Sequence, residues 1–190
     1  MQQCVSSTNQ NLEDRDILIQ FKEPSGKSRA FSALVQKYQQ RMYWHIRKMV
    51  INHEDADDVV QEVFLKVYKN LDNFREASQL YTWMYRIATN ESLTFLNKRR
   101  KRLSLGLDDI NNELENHLAS GTYISGDEVQ MKLQKALLTL PDKQRLVFNM
   151  KYFDDMKYDE ISAITGTSVG ALKASYHLAV KKIEQYLCGH

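Results

Sequence analysis

The sequence predicts an all-α protein built as two small helical domains joined by a flexible linker. Three observations carry that expectation. Seven Gly and two Pro in 190 residues are too few for a chain of short strands, which needs turn residues every ~8–12 positions. Apolar side chains recur at spacings of three and four along the long segments, the period of a helix face. Between two such stretches lies 103–126, with Gly106, Gly121 and Gly126, several Asn and Ser, and only scattered Leu.

Residues 1–28 read as an N-terminal polar segment, in which Pro24 and Gly26 break any helix begun around Asp14–Lys22. From Ser28, a plausible N-cap, Phe31, Leu34, Val35, Tyr38, Met42, His45, Ile46 and Met49 trace an amphipathic helix to about residue 51. Asn52 suits the cap of the next helix, and Glu54, Asp55, Asp57 and Asp58 crowd its start, where the helix dipole favours anions. Ala56, Val59, Val60, Val63, Val67 and Leu71 form its core stripe. A short connection through Asn73 and 75–78 leads to a third helix over about 80–101, with Leu80, Trp83, Met84, Ile87, Ala88 and Phe95 on one side. These helices define a first domain over 29–102, and the acidic linker follows at 103–126.

The second domain, 127–190, starts with a helix over 127–140, and Pro141 suits the first position of the next. That helix carries Leu146, Val147, Met150 and Phe153. A short helix, Tyr158–Thr165, packs through Ile161 and Ile164; Gly166 breaks it and Ser168 caps a last helix over 169–187. Leu172, Tyr176, Ala179, Ile183 and Leu187 are its expected core stripe.

Several functions are excluded or unsupported. Hydrophobic residues at 43% and charged residues at 26% are a globular mixture, which rules out bulk disorder. No apolar run approaches the ~18–20 residues of a membrane span, and the N-terminus has no signal layout, so stable membrane insertion is not expected. Cys4 and Cys188 lie near opposite ends without metal-ligand spacing, which points to a reducing, cytoplasmic location. Gly166-Thr-Ser168-Val-Gly170 matches G-x-S-x-G, but a helix precedes it where a nucleophile elbow needs a strand. Gly26-Lys27-Ser28 ends like a phosphate loop, yet Phe21 stands where its first Gly belongs. The five His form no zinc pattern. The expectation is a protein that is not an enzyme, with no catalytic residue, metal or cofactor.

The net charge of +2 conceals an uneven distribution. Residues 97–102 (NKRRKR) hold five basic side chains, Lys98, Arg99, Arg100, Lys101 and Arg102, and no acidic one. Residues 103–130 hold six acidic side chains and no Lys or Arg. A polyanion site beside a covering or avoiding segment fits this pattern, and so does a solvated helix end. Near the basic block stand Phe74, Tyr81, Trp83, Tyr85 and Phe95. Rings beside cations suit single-stranded nucleic acid, where bases stack and cations track phosphates; rings at helical spacing also suit a core, and Trp83 lies on the core stripe. In 158–183, a short helix, a Gly-containing turn and a longer helix fit a DNA-reading helix-turn-helix or an ordinary helical hairpin. With Leu172, Tyr176 and Ala179 buried, Gly170, Lys173, Ala174, His177 and Lys181 share the free face.

Residues 57–68 (DDVVQEVFLKVY), 81–90 (YTWMYRIATN), the basic run through Arg102 and the segment 158–183 together resemble the conserved regions of bacterial sigma-70-family factors. The match is to the small extracytoplasmic-function (ECF) group, which keeps only regions 2 and 4, and it covers most of 29–100 and 128–187. The resemblance implies a promoter-specificity subunit whose partners are RNA polymerase core, promoter DNA and, in many relatives, an anti-sigma factor. It implies that the second helix, 58–71, docks on polymerase, with Asp57, Asp58, Gln61, Glu62 and Lys66 off the apolar stripe. It implies that Phe74 through Tyr81 and Asn90, helped by the basic run, open the −10 element and hold its melted strand. The second domain would read the −35 duplex through Ser168, Lys173, Ser175, His177, Lys181 and Lys182. Many ECF factors carry several Arg on that helix; this chain has none there. The alternative is a helix-turn-helix regulator that binds operator DNA without polymerase, and the aromatic–basic first domain separates the two.

Overall fold

The computed structural model describes residues 13–74, 78–103 and 128–189, and every regular element among them is helical. The linker lies outside the described residues from 104 onward. The first domain comprises α1 (Asp14–Lys22), α2 (Lys27–Val50), α3 (His53–Asn70), a 3₁₀ turn (Leu71–Asn73) and α4 (Leu80–Leu103). The second comprises α5 (Glu128–Leu138), α6 (Asp142–Tyr152), α7 (Tyr158–Thr165) and α8 (Val169–Cys188).

The segment before residue 29, expected to be polar, contributes to the core. α1 is a real helix that buries Ile17, Leu18 and Phe21. Phe21 meets Tyr68 of α3 edge-on at 5.6 Å and Phe31 of α2 at 6.3 Å. Lys27 sits 4.7 Å from the Phe21 ring and 2.5 Å from Asp72, pinning the turn that Pro24 and Gly26 make. That turn joins two packed helices instead of ending a tail. α2 starts one residue before Ser28, capped from Gly26, because the turn already sets the chain direction there.

Asn52 caps α3 as expected, its side chain accepting from the Asp55 amide at 3.2 Å. Phe64 joins the α3 core with Val59, Val63 and Val67, while Val60 is only half-buried. In the second domain Pro141 is the N-cap of α6, one place earlier than expected. Phe153 lies beyond α6 and is 38% exposed, and Leu187 is 44% exposed, because α8 outruns the elements that cover it. Both leave the expected core.

The domains are packed together. Leu146, Val147, Met150, Met156, Ile161, Ile164 and Leu172 share one apolar cluster with the cores of α1 to α4. An α-helix ends with carbonyls that lack a partner within the helix. At the end of α2 these are met from the other domain. The Asn149 amide donates to the Lys48 carbonyl at 3.2 Å, and the Arg145 guanidinium to the Met49 carbonyl at 3.1 Å. Arg145 and Asn149 are one turn apart on α6 and both about 2% exposed. Ile51, which follows α2, has φ 68° and ψ −41° and is buried against Leu138 and Met131 of α5. A β-branched residue at positive φ is strained, at a cost of about 1–3 kcal/mol, and persists only where its surroundings fix it.

Candidate nucleic-acid interface

The helix-turn-helix forms from local signals. The α7 backbone ends at Gly166, whose φ of 69° needs a residue without Cβ strain and whose amide donates to the Ser162 carbonyl at 2.8 Å. Two residues later the Ser168 hydroxyl accepts from the Ala171 amide at 3.4 Å and starts α8. The turn is therefore three residues long. Leu172, Ala179 and Ile183 are buried, while Lys173, His177, Lys181 and Lys182 are exposed. Ser168 is exposed but engaged as a cap, and Ser175 is half-buried. Tyr176 stacks on Phe148 at 5.7 Å and anchors the helix from behind. Leu178, off the apolar stripe of α8, is 49% exposed. A side chain of this kind can meet a thymine methyl.

In the first domain Phe74 is half-buried, its ring 5.2 Å from Trp83. Asn90 is exposed on α4, as are Lys98, Lys101 and Arg102. The basic run is thus divided. Arg99 pairs with Asp55 at 2.5 Å and Arg100 pairs with Asp142, so these two guanidiniums hold structure together. Tyr81 and Tyr85 do share a face, but it looks toward the second domain. Their rings lie tilted against each other, centroids 4.2 Å apart with 43° between planes; Tyr85 is buried and Tyr81 half-buried beside a cleft of about 580 Å³ that Arg41, Asp154 and Glu160 also line.

Burial pushes both phenols above their ordinary range, and it does the same to Tyr38, whose hydroxyl donates to Asp14 at 2.7 Å. Above about pH 10 the unfolded chain ionises such groups while the folded chain keeps its protons. The folded state then binds more protons, so stability falls as pH rises through that range. Alkaline denaturation followed by circular dichroism should show this slope, reduced in Tyr85→Phe. An identical slope in that variant would separate it from Tyr85.

On α3, Asp58, Gln61 and Glu62 are exposed and Asp57 half-buried, all opposite the buried stripe. Lys66 is exposed and reaches Glu91 of α4 at 2.6 Å. Leu65, 51% exposed, completes a row at spacings of three, four and seven from Asp58. Its signal in the sequence is its place off the apolar stripe.

The model of sigma-70 region 2 matches residues 34–102, and that of sigma-70 region 4 matches residues 130–183. The chain is 31% identical over 169 residues to the ECF RNA polymerase sigma-E factor of Escherichia coli (strain K12), covering 84% of this chain and 87% of that protein. The chain belongs to the ECF sigma factors. It is also 29% identical over 170 residues to the ECF RNA polymerase sigma factor SigW of Bacillus subtilis (strain 168), covering 85% of this chain and 91% of that one. Among solved structures it is similar to CnrH in complex with the cytosolic domain of CnrY. The TM-score is 0.66 at 25% identity, over 93% of this chain and 97% of that one. The fold is shared with the sigma factor RpoE of Bartonella quintana, solved with the anti-sigma factor NepR. Here the TM-score is 0.63 at 21% identity, over 83% and 96% of the two chains.

An ECF sigma factor is a transcription-initiation protein that works with polymerase core and promoter DNA, and an operator-binding regulator without polymerase is not favoured. No helix among the described residues is long and apolar enough to cross a membrane.

Proposed function

We propose that the two faces of this ECF sigma factor divide promoter recognition in the order of the chain, over domains 29–102 and 127–190. The exposed side of α8, presented by the Gly166 turn, carries the reading. Lys173 and His177 meet −35 base edges, and Lys181 and Lys182, further along the helix, hold phosphates. Ser168 serves mainly as the cap that aims the helix. Phe74 and Asn90 handle the melted −10 strand, with Tyr81 near the bases. Lys98, Lys101 and Arg102 attract its phosphates, while Arg99 and Arg100 brace α4. The face of α3 with Asp57, Asp58, Gln61, Glu62 and Leu65 docks on polymerase, and Lys66 orients it through Glu91. The protein itself catalyses nothing, acts in the cytoplasm, and is a fit partner for an anti-sigma factor, as the sigma factor RpoE of Bartonella quintana is for NepR.

Run-off transcription with purified core tests this directly. Phe74→Ala should weaken single-strand binding by about 1–3 kcal/mol, the worth of one stacking ring. Asn90→Ala should shift base preference more than affinity. Intact promoter opening in both variants would overturn the −10 assignment.

The missing Arg on α8 has a consequence. A lysine or neutral histidine is less directional than a bidentate guanidinium, so discrimination at −35 should be modest and lean on DNA shape. Replacing Lys181 and Lys182 with Ala should weaken binding to all duplexes and reduce the salt slope by roughly one phosphate each. Lys173→Ala should relax preference at one or two positions. Binding to a panel of −35 variants at two salt concentrations separates these outcomes, and an unchanged profile for Lys173→Ala would refute base reading there.

A further inference from the structure

The free side of α8 is partly apolar where a groove-reading helix meets the bases. Gly170, Ala174 and Leu178 follow one another at a spacing of four, so they form one row along the helix. All three are exposed, and the row lies opposite the buried Leu172, Ala179 and Ile183. Ala174 holds the middle of the face. One turn beyond it, His177 and Leu178 flank its line, the imidazole on one side and the isobutyl group on the other. Lys173 stands at the rim, its ammonium 5.9 Å from the centre of the Tyr158 ring of α7.

The fold itself does not ask for the glycine in this row. Gly170 is not among the residues with positive φ, and a Cβ there would meet no atom of the described residues within 4 Å. Glycine weakens a helix relative to alanine, because it has more chain freedom to lose. With Ala174 one turn on, Gly170 instead leaves the helix thin, so its backbone can approach a surface closely. Leu178 is then the first large side chain of the row, 49% exposed. In the major groove an isobutyl group has one attractive partner, the C5 methyl of a pyrimidine. To guanine it offers nothing: the N7 and O6 acceptors beneath it would lose water and gain no donor.

We propose that Leu178, with Ala174 beside it, reads the C5 methyl of a pyrimidine in the −35 element, so that α8 selects a 5-methylpyrimidine there. Thymine and 5-methylcytosine both carry that methyl, whereas uracil and cytosine carry hydrogen. A guanidinium at the same place would select guanine instead. Methylation of a cytosine beneath Leu178 therefore strengthens the site. This rests on the assignment of α8 to the −35 duplex made above. Covering one methyl is worth about fourfold in affinity.

The test uses the full chain bound to polymerase core and a library of promoter duplexes randomised over the −35 element. The tightest duplex recovered is made again with each thymine in turn replaced by deoxyuridine, which removes one methyl and keeps every hydrogen-bonding group. At the position beneath Leu178 the replacement should weaken binding about fourfold. Cytosine and 5-methylcytosine at that position, each paired with guanine, should differ by about the same factor in favour of the methylated base. In Leu178→Ala both ratios should fall to about one, and in Leu178→Met both should persist, because the thioether chain still covers the methyl. Leu178 is exposed, so thermal melts of the variants should match the parent. Binding that ignores every thymine methyl overturns the proposal. A methyl effect that survives unchanged in Leu178→Ala overturns the role of Leu178, and a thymine effect without a 5-methylcytosine effect overturns the reading of methylated cytosine. Recovery of no −35 sequence at all overturns the assignment of α8 to that element, and this proposal with it.

Discussion

Reversing Asp58 and Glu62 to Lys is expected to reduce retention on polymerase core more than tenfold without unfolding the first domain. Both side chains are exposed, and the α3 stripe behind them, Ala56, Val59, Val63 and Val67, is buried and untouched. Exposed substitutions of this kind usually change stability by no more than about 0.5 kcal/mol. Interface anchors are worth at least about 2 kcal/mol, and each 1.4 kcal/mol is a factor of ten. Leu65 stands in the same row, so Leu65→Asp should act in the same direction by removing the apolar centre of the contact. Co-purification with core, beside a thermal melt of each variant, separates binding from folding. Unchanged retention in both variants would remove α3 from the polymerase interface.

Phe21→Ala is expected to destabilise the chain by about 3–5 kcal/mol, the usual range for emptying a buried aromatic site. Phe21 is about 1% exposed, and its ring packs on Phe31 and Tyr68. For a chain of this size each kcal/mol moves the melting point by about 2–4 °C. The loss should therefore lie between about 6 and 20 °C. A shift below a degree or two would mean that α1 is an appendage, despite its buried face.

The difference between α1 and the helices that were legible is one of contrast. In α3, a capping Asn52, an acidic first turn and an apolar stripe all indicate a helix starting at one place. In α1, Ile17, Leu18 and Phe21 stand among Asp, Arg, Gln and Lys over nine residues, and Pro24 reads as a break. Only the partners on α2 and α3 turn those three side chains into core. The helix-turn-helix was legible for the opposite reason: Gly166 and Ser168 each perform a local backbone task that few residues do as well.

The site was legible where exposure follows from helical period and illegible where partners lie far along the chain. Lys173, His177, Lys181 and Lys182 emerge from the period of α8. That Arg99 belongs to Asp55 and Arg100 to Asp142, 44 and 42 residues away, does not follow from a run of like charges. Tyr81 and Tyr85 were assignable to one face, but what covers that face is set by α7 and the loop around Asp154. Leu187 and Phe153 were placed in cores because period alone does not say where a neighbouring element stops.

The capping of α2 from α6 bears on how the molecule comes apart. Two domains of this size, each with its own core, would ordinarily melt as separate cooperative units. Here the last turn of one is completed by side chains of the other, and one apolar cluster runs through both. The end of α2 and the middle of α6 therefore belong to a single unit of cooperativity that crosses the domain boundary. Amide exchange in the last turn of α2 should report on the second domain as much as on the first. Heating should take both through one transition, and breaking the cap at Asn149 should split that transition into two.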